Sequence, residues 1–232
     1  EKGLARSSVN RVISSVKAIV NLAINELGVE SKNPFAGVYL ASRDDAKKRK
    51  PLSNKSLKHL QNACMEADDD LRWLVAMISD TGMRLAEAAG LHVDDIVLGD
   101  VPYVYVKPHA WRSLKTASSE RKIPLVGASL WAAKRIKSMS DSYCFPRYVD
   151  GIKCNSNSAS AALNKWLKAS TKQDVVIHGL RHTFRDRLRA VEAPSDMIDQ
   201  LGGWSFQSVG QGYGDGYSIE KLSEWMLKLV NG

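Results

Sequence analysis

His178 and Arg181 stand three positions apart in the run His178-Gly179-Leu180-Arg181-His182. On a helix that spacing puts both on one face, where they can reach one small ligand. An imidazole beside a guanidinium suits a phosphate oxygen, because both donate charge-assisted hydrogen bonds. Thr81-Gly82-Met83-Arg84 offers a second guanidinium far upstream. Downstream, Tyr213 supplies a phenol. Cations for a phosphate and a hydroxyl to attack it point to phosphodiester chemistry through a tyrosine.

Each residue carries its own demand. Cleavage of a phosphodiester develops negative charge on two non-bridging oxygens, and positioned cations stabilise it. Arg84 and Arg181 suit that task, although Arg84 could equally pair with Glu87 at helical spacing. His178 can donate to the phosphate or move the nucleophile's proton. His182, one turn on, suits a packed role and would lie beside His178. Ionising a tyrosine at neutral pH costs about 4 kcal/mol, a cost that adjacent cations lower. Tyr213 sits in Gly212-Tyr213-Gly214-Asp215-Gly216-Tyr217, a glycine-rich segment suited to turning or moving. Spacing alone does not choose between Tyr213 and Tyr217. Lys115, ahead of Arg121–Leu125, could enter a DNA groove from a hairpin tip and protonate a departing 5′ oxygen. Its bland alternative is a solvated loop lysine. No His/Asp/Glu cluster has metal-ligand spacing and no phosphate-binding glycine loop is present, so no cofactor is expected.

These residues need a scaffold. The chain has 232 residues, 44% hydrophobic and 25% charged, ordinary values for a globular protein with a sizeable core. Its net charge of +8 favours a polyanionic partner. Cys64, Cys144 and Cys154 are odd in number and lack metal spacing, which fits a reducing, cytoplasmic setting. No apolar run reaches membrane-span length and no signal-peptide pattern opens the chain. Glu1 is no initiator, so a fragment or processed product is expected.

Apolar residues from Val9 to Leu27 recur at helical spacing, with Ser7 or Ser8 as cap and Gly28 as stop. Asn33-Pro34 follows as a breaker. Residues 43–50 form a basic linker, either a solvated connector or a strap along a phosphate backbone. Ser53 can cap a helix carrying Leu57, Leu60 and Cys64. Residues 70–79 and 84–90 read as further helices. Ile96–Leu98, Tyr103–Val106 and Arg121–Leu125 read as strands. Helices follow near 128–138, 157–169, 178–190 and 195–201. The expected class is α+β, a small sheet inside a mostly helical body. Leu222, Trp225, Met226 and Leu229 make a final apolar stripe.

Four stretches in order give the chain a resemblance to the catalytic domain of the tyrosine recombinases of the phage integrase type. Thr81 through Ile96 resembles the family's first arginine block. Lys115 through Leu125 resembles its β-hairpin lysine block. His178-Gly179-Leu180-Arg181-His182-Thr183-Phe184 resembles the His-x-x-Arg block, and Leu201-Gly202-Gly203-Trp204 followed by Tyr213 the closing block. Nine positions separate Trp204 from Tyr213, the family's usual gap, which favours Tyr213 over Tyr217. The closing block commonly has histidine at position 204. Some members carry tryptophan, whose N–H can still donate and whose ring can buttress the tyrosine. Tryptophan cannot act as a base, so His178 inherits that role. Lys115 is preferred to Lys107 or Lys122 as the block's lysine.

The resemblance implies domains: residues 1–42 as the end of a core-binding helical domain, 43–50 as linker, 51–217 as catalytic domain, and 218–232 as a helix. That helix could be exchanged between subunits or fold back on its own. It also implies a small antiparallel sheet in the catalytic domain, with Arg84, Lys115, His178, Arg181, Trp204 and Tyr213 as catalytic residues. The implied activity is site-specific recombination through a 3′-phosphotyrosyl link, for integration or excision of a phage or mobile element in a bacterial host cell. Its implied partners are double-stranded DNA attachment sites, a homo-tetramer on that DNA, and excisionase or host bending factors. A type IB topoisomerase and a catalytically silent DNA-binding protein are the competing readings.

Overall fold

The computed structural model describes residues 4–38, 51–204 and 216–231, so the 43–50 linker and Tyr213 lie outside it. The chain divides into two compact units, Glu1–Lys48 and Arg49–Gly232.

The first unit is built on helix α1, Arg6–Leu27. It starts two residues before the expected serine cap: Ala5 is the N-cap and no side chain closes that end. Gly28 ends it as expected, in the left-handed region at φ 61°. Asn33 does not break the helix but clips the returning chain to it. Its Nδ2 donates to the Lys17 carbonyl at 3.0 Å and to Asn21 Oδ1 at 2.6 Å. No residue of α1 is buried.

The second unit is assembled around α3, Asp70–Thr81, whose residues from Trp73 to Thr81 are all buried. Asp69 caps it by accepting from the Arg72 amide at 3.0 Å. Before it, α2 spans Asn54–Ala67, and Ser53 caps it by accepting from the Ser56 amide at 3.2 Å. After it come α4, Leu85–Ala89, and the sheet: β1 Ile96–Val97, β2 Tyr103–Val106 and β3 Arg121–Pro124. The order is β1-β2-β3, antiparallel, with Ile96 opposite Val104 and Val106 opposite Arg121. Strand β1 ends before Leu98, which is exposed where the chain turns.

Helices α5 (Gly127–Met139), α6 (Ser156–Thr171), α7 (Ile177–Ala190) and α8 (Ser195–Gly202) complete the body, and α9 is Ile219–Asn231. Helix α3 packs against α5 and α7. Along α7, Ile177, Leu180, Phe184 and Leu188 are buried. Burying Phe184 alone contributes about 1.5–3 kcal/mol. Its ring lies where a Gly82 Cβ would stand, and Gly82 also has φ +61°. Only glycine fits that turn, which leads directly into Arg84. The stripe of α9 docks on its own chain, against β3 and α7, with Leu222, Met226 and Leu229 buried.

Candidate active site

Three chain segments meet around Arg84 and Arg181: the turn from α3 to α4, helix α7, and the end of α8. The Arg84 amide donates to Glu87 Oε2 at 2.9 Å, and its Nη1 donates to Glu87 Oε1 at 2.5 Å. The same Nη1 donates to Ser119 Oγ at 2.9 Å, and Nη2 to the Gly203 carbonyl at 3.3 Å. The Arg84–Glu87 pair expected at helical spacing therefore exists. It is not a surface pair, because Glu87 is buried and shared with Arg121.

Arg181 is buried on α7. Its Nη1 donates to the Gly82 carbonyl and its Nη2 to the Gly202 carbonyl, both at 2.5 Å. Two carbonyls from opposite ends of the sequence thus fix one guanidinium. Burial, then the nearby Arg121 and Arg84, pushes its pKa down to about 9. It remains a cation at neutral pH, in surroundings short of negative charge. Glu87 is the carboxylate beside these guanidinia. Burial pushes its pKa up, but Arg121 and the hydrogen bonds from Arg121 and Arg84 outweigh burial and hold it below the ordinary value. Arg112, also buried, has no hydrogen-bond partner for its three guanidinium nitrogens. The pocket carries surplus positive charge, which an arriving anion would neutralise.

His178 sits on the rim, exposed. Burial of part of its ring, then His182, Arg181, Arg84 and Lys115, lowers its pKa. The imidazole is therefore neutral at neutral pH and able to accept a proton. The His182 ring meets it edge-on, 5.2 Å between centroids. The neighbourhood matches expectation, but His182 is exposed rather than packed.

Lys115 is exposed in the connection from β2 to β3, just ahead of a 3₁₀ turn at Ala117–Ser119. Its charge is the last and weakest of those that lower the His178 pKa. The two other lysines of that region are engaged elsewhere. Lys107 Nζ lies 3.3 Å from buried Asp95 Oδ1. Lys122 Nζ lies over the Tyr103 and Tyr105 rings, at 5.3 and 5.8 Å. Trp204 follows α8, with the Arg181 and Arg185 guanidinia 4.3 and 4.6 Å from its ring. Cation–π attraction on that scale fixes the indole against α7.

Of the two tyrosines, Tyr217 is held on α8. Its hydroxyl donates to Asp196 Oδ2 at 3.0 Å, and Gln200 brackets its backbone at 2.9 and 3.0 Å. Burial and the Asp196 carboxylate raise its pKa, the wrong direction for a nucleophile.

Arg121, Ser119 and Arg185 join the site although their motifs do not mark them. For Arg121 a signal was present. Arg121 and Ile123 share the inward face of β3 while Lys122 faces out, and a charged residue on an inward position demands a buried partner. Among the described residues no group of three His, Cys, Asp or Glu is placed to hold a metal ion. No helix among them is long and apolar enough to cross a membrane.

Solved structures similar to this one include integrases. The Tn1549 transposon integrase in complex with circular intermediate DNA superposes with a TM-score of 0.65 at 19% identity, covering 97% of this chain and 80% of that one. A lambda integrase tetramer bound to a Holliday junction gives 0.62 at 16% identity, covering 92% and 62%. At such identities the likeness establishes the fold. In sequence, the tyrosine recombinase XerC of Vibrio vulnificus is 25% identical over 205 residues, 82% of this chain and 62% of that protein. XerC of Vibrio parahaemolyticus is 26% identical over 205 residues, 82% and 64%. The chain thus spans a little over three-fifths of the length of these relatives. The family model described as the phage integrase family matches residues 49–217, the stretch that holds both arginines, both histidines, Lys115 and Trp204, and by that match the chain belongs to the phage integrase family.

Proposed function

We propose that this chain carries the catalytic machinery of a site-specific DNA recombinase that cuts and rejoins strands through a 3′-phosphotyrosyl link. The observation that carries the reading is the meeting of Arg84 and Arg181 at the turns of Gly82 and of Gly202–Gly203, with Glu87 as the carboxylate beside them. Arg84 and Arg181 hold the scissile phosphate and stabilise the charge that grows on its non-bridging oxygens. Tyr213 attacks phosphorus, with neutral His178 taking the phenolic proton. Lys115 protonates the departing 5′ oxygen. Trp204 donates to the phosphate and buttresses the tyrosine. The released 5′-hydroxyl of a partner strand then attacks the phosphotyrosyl ester and frees the enzyme. One phosphoester replaces another at each step, so bond energy is kept and no nucleotide hydrolysis is required.

The substrates in this reading are two duplex attachment sites of a phage or mobile element, brought together by a tetramer. The XerC relatives are named as tyrosine recombinases, and the lambda integrase relative is a tetramer on a Holliday junction. Exchange of α9 between neighbours, an excisionase or host bending factors, and action in the cytoplasm belong to the same proposal. The test is a nicked suicide duplex incubated with the full-length protein. A covalent protein–DNA adduct supports the reading, and its absence favours a silent DNA-binding protein. Two duplex sites in one assay separate a recombinase, which exchanges strands between them, from a topoisomerase, which reseals the same strand.

A further inference from the structure

We infer that Arg121 is a positioning residue of this site: through Glu87 it fixes the Arg84 guanidinium. The inference rests on the proposed function and extends it.

Arg121 is buried at the start of β3, and each side of its guanidinium is committed. Nη2 donates to Glu87 Oε2 at 3.0 Å, Nη1 to the Ser119 carbonyl at 2.6 Å, and Nε to the Leu201 carbonyl at 2.8 Å. Glu87 offers its other oxygen to Arg84 Nη1, which also donates to Ser119 Oγ. Arg84 Nη2 closes the ring on the Gly203 carbonyl. So the two arginines grip the same three partners, Glu87, Ser119 and the end of α8, from opposite sides. A Cβ at Gly203 would stand 2.7 Å from Arg121 Nη1, and Gly203 has φ +61°. The glycine before Trp204 is what lets Arg121 approach.

A buried ion pair is a poor source of stability, since apolar side chains of similar volume often do as well. Its use here is geometric. Arg84 has a flexible stem, and a catalytic guanidinium must be held within fractions of an ångström. Glu87 can hold Arg84 only while it is itself held and ionised. The charged groups acting on Glu87 are Arg84 on its own segment, Arg121 on β3, Arg112 on the connection and Arg181 on α7. Of these, Arg121 both bonds its carboxylate and faces it from another element.

Arg121→Lys keeps the charge and loses the fork; Arg121→Met loses both. With the nicked suicide duplex, Arg121→Lys should form adduct at least tenfold more slowly than the unmodified protein, with duplex binding unchanged. In a Glu87→Gln background the same substitution should add less than twofold, because Arg121 acts through Glu87. Independent multiplicative losses, or a single-variant rate within twofold of normal, would overturn the inference. A second measurement needs neither DNA nor turnover: the Glu87 carboxyl followed by NMR should titrate about one pH unit or more higher in Arg121→Met, and higher to a lesser degree in Arg121→Lys should the methionine variant not fold. An unmoved titration overturns the inference even if the adduct forms. If the unmodified protein forms no adduct, the recombinase reading fails and the Glu87 titration alone decides the role of Arg121.

Discussion

Helix α7 carries two buried arginines that do opposite things. Arg187 meets Asp80 at 2.7 Å, and that carboxylate also accepts from the Ala128 amide at 2.9 Å and Gln61 Nε2 at 3.0 Å. The same Nη1 also donates to the Ser79 carbonyl, and Nη2 donates to the Leu229 carbonyl. One cation meets one anion, and the contacts tie α2, α3, α5, α7 and α9 into a body. A cleft of about 270 Å³ beside this clamp is lined in part by Asp80, Arg187 and Leu229. Two turns earlier, Arg181 meets carbonyls and other guanidinia, with Glu87 shared between Arg84 and Arg121. The first arrangement is neutral and complete. The second carries more positive than negative charge. What separates the structural arginine from the one proposed for catalysis is the local charge balance, since burial is common to both.

The sharpest way to break that contrast is to remove what the surplus charge should serve. Tyr213→Phe should abolish the covalent adduct while duplex binding survives; an adduct that persists moves the nucleophile to Tyr217 and leaves the charged pocket without its phenol. Next comes an exchange of roles. Arg181→Ala should slow cleavage by about 10²–10³-fold, the usual cost of a lost transition-state donor. Arg187→Ala should instead lower stability by about 3–5 kcal/mol, because Asp80 is left buried and unpaired. Suicide-substrate kinetics and denaturant unfolding on both variants read the two effects. Equal kinetic losses would erase the distinction.

Lys115→Ala should lose cleavage on an ordinary duplex and recover it on one whose 5′ bridging oxygen is sulfur, a better leaving group. Failure to recover would limit Lys115 to binding. The smallest effect sharpens the electrostatics. The His178 pKa lies below its ordinary value, held down by burial first and by His182 next. With His178 as the proposed base the neutral ring is the active form, so cleavage should persist as pH falls below about 6.5, the reference for histidine. It should fall only through the lowered pKa. His182→Gln removes one of the groups that depress it, so the acid limb should move to higher pH by a fraction of a unit. A limb that stays put would show that His178 is not the titrating base.

Much of the fold could be read locally. Ser53 begins and Gly28 ends a helix where their chemistry requires, and strands β2 and β3 start at the expected residues. The misses were also local in cause. Serines near the start of α1 suggested a cap, yet that helix begins earlier with no side-chain cap. His182 was expected to pack, but α7 turns it to the open side with His178.

By itself the sequence determined which chemistry was available: a His-x-x-Arg run, a second arginine after a glycine turn, a lysine ahead of a strand, and a tyrosine among glycines. Residue type and short spacing suffice for that, because helices and turns obey local rules. Only the tertiary structure decided how the arginines are held. Arg84 reaches Gly203 across 119 positions, Arg121 reaches Leu201 across 80, and Arg181 reaches Gly82 across 99. Those pairs form because packing brings carbonyls and guanidinia together where water is excluded, and no local pattern records which distant partner will be there.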